Sequence, residues 1–209
     1  GRWSLGSSAE ISGGTLKFAG GSLAGTGLLR GVTVDGNWET SAGSTIRVAD
    51  GLNLTNGSAV NVAATGSILT FVGSQTVSGG TLNLRPFGNI HVAGFGTLTL
   101  ASNTSVIGAG TFGTLGTAAP NGSIVNHGLI RSETGTMNVW GVQITNHGIA
   151  EAASGSVLAF NGQVNNTGTI RTTGGSIKFN GNWSNSGAVE VTNGSAELFD
   201  CAGQGRIDA

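Results

Sequence analysis

One cysteine, two prolines and no tyrosine stand among 209 residues. A lone Cys201 forms no intrachain disulfide and supports no cysteine-based zinc site. Charge is scarce as well. Asp, Glu, Lys and Arg make up 9% of the chain and the net charge is −1, where typical domains carry about 25% charged residues. With no basic patch to neutralise phosphates, the composition argues against nucleic acid as a partner. No apolar run is long enough to span a bilayer, and no charged-then-apolar leader opens the chain. Repeat-like sequence begins at once with Gly1-Arg2-Trp3, as in a mature fragment or one segment of a longer protein. No window sustains apolar residues at i, i+3, i+4 and i+7, and β-branched residues and glycine occur throughout, so helices are not expected.

What is abundant is glycine, with 39 residues, beside Ser, Thr and Asn. The 38% of residues that are hydrophobic fall in short alternating runs, which permits a buried core. Between Ile124 and Phe199 the chain repeats about every 20 residues. Asn126, Asn146, Asn166 and Asn185 recur at spacings of 20, 20 and 19, accompanied by Gly128, Gly148, Gly168 and Gly187 and by Gly135, Gly155, Gly175 and Gly194. A fixed period of this length marks one small unit stacked on itself, a solenoid.

The clearest coils run 124–143, 144–163, 164–182 and 183 to about 200. Residues two apart share one face of a strand. The expected inward columns are Ile124, Ile144, Val164 and Trp183; then Ile130, Ala150, Ile170 and Val189; then Met137, Val157, Ile177 and Ala196. Three such columns imply three short strands per coil. Outward, Arg131, Glu151, Arg171 and Glu190 form a column of alternating sign, and Lys178 and Glu197 a second pair. In-register parallel strands lie about 4.8 Å apart, so opposite charges become neighbours. The asparagine column is expected to hydrogen-bond along the stack at one bend, with its glycines supplying the positive φ that such a bend often needs.

The first half follows the same logic less regularly, with paired apolar residues at Val32/Val34, Ile46/Val48, Leu52/Leu54, Val60/Val62, Leu82/Leu84, Ile90/Val92 and Leu98/Leu100. Gly36-Asn37-Trp38 is echoed by Gly181-Asn182-Trp183, each just after a strand. Loops should concentrate between Arg85 and Pro120. The expectation is a single domain over 1–209: irregular coils to 123, regular 19–20-residue coils over 124–200, and a terminal segment over 201–209. About ten coils of roughly 19–25 residues would make a rod ~48 Å long.

Motifs with chemical meaning are few. Gly108-Ala109-Gly110-Thr111-Phe112-Gly113 matches GxGxxG, but no helical sequence follows it, so a dinucleotide site is not inferred. His127 and His147 share a column without a third metal ligand, and His91 stands alone. The four aspartates, Asp35, Asp50, Asp200 and Asp208, are dispersed, and no nucleophile elbow, HExxH or P-loop occurs. Neither catalytic residues nor cofactor or metal ligands are assigned. Trp140, Phe160 and Phe199 each follow the last strand of a coil. They either cover a corner of the core or form an aromatic strip able to stack on sugars.

Gly31-Val-Thr-Val-Asp-Gly-Asn-Trp38, Gly51-Leu-Asn-Leu-Thr55, Gly73-Ser-Gln-Thr-Val-Ser-Gly-Gly80 and Asn166-Thr-Gly-Thr-Ile-Arg171 resemble the repeat-rich extracellular proteins of bacteria, such as autotransporter passengers and large exoproteins. The resemblance covers nearly the whole chain in repeat style and matches no site motif. It implies a parallel β-helix, outside the cell or on its surface, serving adhesion, coating or fibre formation. The hexapeptide rule of left-handed helices is not followed, so the right-handed form is expected. The function expected is that of a non-enzymatic structural or adhesive β-solenoid. Its partners would be copies of itself stacked end to end, neighbouring coils of a longer chain, or surface glycans. The competing reading is a carbohydrate-binding or carbohydrate-cleaving β-helix that uses the 85–120 loops or the aromatic strip.

Overall fold

The computed structural model describes residues 1–55, 57–62, 66–85, 87–113, 122–199 and 203–204. It is an all-β parallel solenoid of about nine turns. Among the described residues every strand pairing is parallel, and each residue meets its counterpart roughly one coil later in the chain.

Three sheets run along the rod. In sheet 1 an outward column passes through Arg2, Ser22, Glu39, Asn61, Asn83, Ile107, Arg131, Glu151, Arg171 and Glu190. The nine steps of that column at ~4.8 Å make a stack of ~43 Å, slightly shorter than the ten-coil expectation. Sheet 2 begins at Glu10–Ser12 and ends at Ser195–Leu198. Sheet 3 runs from residues 15–19 to Gly203–Gln204. Some strands turn corners without breaking: Leu129–Asn146 contributes 129–132 to sheet 1, 136–140 to sheet 2 and 143–146 to sheet 3.

Alternation explains the packing. In Thr81–Leu84, Leu82 and Leu84 turn inward while Thr81 and Asn83 face out, and Thr97–Leu100 follows the same rule. All fourteen paired apolar residues named for the first half join one hydrophobic cluster, which extends from Leu5 to Val189. Aromatic rings stack along it at one-coil intervals, as in Phe18–Trp38 at 5.7 Å and Phe160–Phe179 at 5.6 Å. Each coil covers the apolar floor of the next.

The structure corrects four details. Leu158, not Val157, is the inward partner of Met137 and Ile177. The corner before it holds four residues, 153–156, where the next coil spends three, 173–175, so spacing counted from Gly155 slips by one. Ser156 anchors that longer corner, its Oγ donating to the Ser132 and Ala153 carbonyls. Secondly, the two Gly-Asn-Trp motifs are not equivalent. Trp38 pairs with Val60 in sheet 1, whereas Trp183 pairs with Val164 in sheet 3. Thirdly, the 85–120 stretch is more regular than expected, carrying strands Asn89–Ala93, Thr97–Leu100 and Ser105–Gly113. Residues 114–121 lie outside the described residues.

The fourth concerns Gly148, Gly168 and Gly187. Positive φ is not what selects them, because none adopts it. A Cβ at each would collide with the carbonyl oxygen of the preceding glycine of the column, so close approach between coils demands glycine there.

Leu158→Ala should destabilise the fold by about 2–5 kcal/mol, and Val157→Ala by under about 1 kcal/mol, as urea midpoints would show. Equal losses would contradict the observed register.

Candidate functional site

The asparagine column is interior. Asn126, Asn146 and Asn166 are fully buried, and they extend a column occupied by Val32, Leu52, Val77 and Leu100 in the earlier coils. A buried amide must satisfy both ends. Here Asn126 Nδ2 donates to Asn146 Oδ1 at 2.7 Å, Asn146 Nδ2 to Asn166 Oδ1 at 2.7 Å, and Asn166 Nδ2 to Asn185 Oδ1 at 2.6 Å. The same Nδ2 groups also reach the carbonyls of Ile149, Thr169 and Ala188 one coil on. The amides thereby tie the corner between sheets 3 and 1 across coils. In earlier coils hydroxyls serve instead: Gly36 N donates to Ser58 Oγ at 2.8 Å, and Thr104 Oγ1 donates to the Val77 carbonyl at 3.0 Å.

Outside that corner, His127 and His147 stack with ring centroids 4.8 Å apart, and His147 Nδ1 lies 2.6 Å from Thr167 Oγ1. Among the described residues no group of three or more His, Cys, Asp or Glu is placed to hold a metal ion. Gly108–Gly113 lies within the strand Ser105–Gly113, which is not the strand-to-helix turn a dinucleotide loop requires.

The Arg131–Glu151–Arg171–Glu190 column is uneven. Arg171 Nη2 meets Glu151 Oε2 at 2.9 Å, whereas Arg131 Nε sits 3.9 Å from Glu133 and 4.0 Å from Glu151. Among the described residues no ion pair within 4.0 Å joins Arg171 to Glu190, although they are in register. Lys178 pairs with Glu197 at 3.3 Å. A further triad escaped the sequence reading: Arg30 bridges Asp50 at 2.7 Å and Glu10 at 2.8 Å. These hydrogen bonds, Asp50 first, hold the guanidinium pKa above its ordinary value. The 20-residue spacing of Glu10, Arg30 and Asp50 was the available signal. Exposed pairs of this kind stabilise by about 0–1 kcal/mol and serve alignment more than stability.

The aromatic strip does not form. Phe160 is fully buried between Val139 and Phe179, while Trp140 lies beside Asn161 in the adjacent outward column. Phe199 is 45% exposed near the last coil, with Lys178 Nζ 5.6 Å from its ring centre.

A notch does form, at the corner between sheets 1 and 2. Gly108 pairs with Ser132 and Gly110 with Met137, so one residue, Ala109, turns a corner for which the next coil spends four, 133–136. On the other side Leu84 pairs with Gly108 and Asn89 with Thr111, so 85–88 answer only 109–110. A recessed coil thus lies between two projecting turns. Glycine makes this possible: at Gly108 φ is +130°, and a Cβ would collide with the Leu84 carbonyl oxygen. The cavity measures about 300 Å³. Its walls are Arg85 on one turn and Glu133 with Thr134 on the other, above a floor of Leu84, Ile107, Gly108 and Ala109. Asn61 and Asn83 close the sheet 1 side, with Asn83 Nδ2 donating to Asn61 Oδ1 at 2.9 Å. Phe87, on the Arg85 turn, is 78% exposed at φ +67°, a conformation that costs an L residue about 1–2 kcal/mol.

No family model, curated protein or solved structure matches the chain. What the site can do must therefore be argued from these residues.

Asn146→Ala should cost about 2–4 kcal/mol, since it leaves one proton of Asn126 Nδ2 without its acceptor and removes the donor to Asn166 Oδ1. Asn185→Ala, at a residue only partly buried, should cost less, and equal losses in denaturant melts would argue against burial setting the cost. A second prediction concerns His91, whose buried Nε2 has no hydrogen-bond partner among the described residues and whose burial lowers its pKa below the ordinary 6.5. As pH falls below about 6.5 the unfolded chain takes up the proton first, so stability holds above that pH and declines beneath it. His91→Gln should lose less stability between pH 7.5 and pH 5 than the parent chain. Parallel pH profiles would exclude His91 as the cause.

Proposed function

We propose that the chain is a non-enzymatic structural or adhesive rod of the cell exterior. One observation carries this reading: a single core and an in-register stack run unbroken through about nine turns. Such a rod sets the spacing and direction of whatever its corners display. Its exterior supports the reading too, being dominated by short polar side chains linked between coils, as in Asn53 Nδ2 donating to Thr33 Oγ1 and Ser78 Oγ to Asn53 Oδ1. The extracellular placement rests on the repeat style and the sparse charge. No helix among the described residues is long and apolar enough to cross a membrane.

The terminal described coils also favour association along the axis. Among the described residues Arg2–Leu5 pairs with residues 22–25 and Ser195–Leu198 with Ser176–Phe179, and strand edges of this kind pair readily with an adjoining coil. Apolar surface accompanies both edges, with Trp3 48% and Leu198 47% exposed. That coil would come from a second copy, or from a longer chain of which this is one part.

Electron microscopy with sedimentation across a concentration series tests the stacking. Filaments with an axial repeat near one rod length, ~43 Å, are expected. Dispersed single rods at every concentration would overturn it.

A further inference from the structure

We infer that the notch beneath Arg85 and Glu133 is a binding site for a carboxylate-bearing sugar. The inference rests on the adhesive part of the proposed function and assigns it a place on the rod. Four consecutive coils contribute, and the geometry is not an accident of one side chain: the recess follows from the one-residue corner at Ala109, which only a glycine at 108 permits.

The chemistry of the lining selects the ligand. Among the described residues no ion pair or hydrogen bond occupies the Arg85 guanidinium, whereas Glu133 already has Arg131 Nε at 3.9 Å. The guanidinium open to a ligand in the notch is therefore that of Arg85. A guanidinium fork matches a carboxylate, which it can hold by two parallel hydrogen bonds. The remaining polar groups, the amides of Asn61 and Asn83, the Glu133 carboxylate and the Thr134 hydroxyl, suit hydroxyl groups, which both donate and accept. The floor is apolar at the outward-facing Ile107, fitting the C–H face of a sugar ring. At about 300 Å³ the cavity sits at the lower end of small-molecule sites, roughly 300–1,000 Å³. That is room for one or two sugar rings.

An acidic peptide would supply carboxylates but fits less well. An extended peptide gains most of its affinity by pairing with a free strand edge. Here Thr81–Leu84, residues 105–108 and residues 129–132 are each already paired with the coils on both sides.

The test probes the full chain on an oligosaccharide array bearing uronate and sialate sugars, each beside its carboxyl-reduced neutral form, with hexaglutamate as the peptide control. Acidic sugars should be retained and their neutral forms should bind at least about tenfold more weakly. Arg85→Gln should abolish the difference and Arg85→Lys restore it in part. The melting temperature should be unchanged in both, because Arg85 is exposed. Comparable binding of neutral sugars or of hexaglutamate, indifference to Arg85→Gln, or no binding at all would overturn the inference. Failure here is separable from failure of the stacking proposal: filaments without sugar binding would refute the notch alone, and sugar binding by dispersed rods would refute the stacking alone.

Discussion

Parallel stacking in register, like residue over like at ~4.8 Å, is the constraint on which the rest of this molecule depends. Each backbone hydrogen bond between coils also fixes which side chains lie above one another. An interior residue meets the same kind of residue on both sides, so one apolar position becomes an apolar column. A polar residue in that position must find partners, either its own copies along the column or backbone carbonyls, as Thr172 Oγ1 finds the Ala152 carbonyl. Asparagine can use its copies, because its amide donates and accepts along one axis, and the Nδ2-to-Oδ1 chain from Asn126 to Asn185 uses both capacities. A carboxylate in that position would repel its copy.

The same constraint explains why the outward column through Arg131, Glu151, Arg171 and Glu190 alternates in sign. Like charges stacked at one-coil spacing would oppose each other at every step, whereas Glu10–Arg30–Asp50 and Glu151–Arg171 set opposite charges side by side. The glycines follow from it as well. Where the chain bends from sheet 3 to sheet 1, successive coils approach so closely that a Cβ at Gly148 would strike the Gly128 carbonyl.

How much of this was legible in the sequence depended on coil length. Over 124–200 the coils differ by a single residue, and simple spacing placed the asparagine, charge and first two apolar columns in their observed registers. The third column slipped at Val157 because one extra residue sits in a corner, where nothing apolar marks it. In the first half, steps of 17 to 26 residues between register partners blur the period, yet the apolar pairs remain visible, since alternation within a strand is local. The Trp38 and Trp183 motifs misled for the opposite reason: identical local sequence occurs on two different sheets. Phe160 was ambiguous because a residue ending a strand may point in or out by one step of register, and the fully buried ring could be assigned only once Val139 and Phe179 were seen above and below it.

Corner length is also where such a fold can acquire a site. The strands are bound to the common period, since a residue inserted into one would turn its inward face outward. The corners are not bound in this way, and a change in their length leaves the core columns intact. Shortening one corner to Ala109 while its neighbours keep four residues recesses a single coil and leaves the core column from Leu82 through Val106 to Ile130 undisturbed. A uniform stack offers every ligand the same surface at each turn and so cannot fix one in place. A break in corner length supplies walls, and walls bring unlike residues such as Arg85 and Glu133 to opposite sides of one space. In this rod the repeat carries the stability, and the proposed binding notch lies where one coil departs from it.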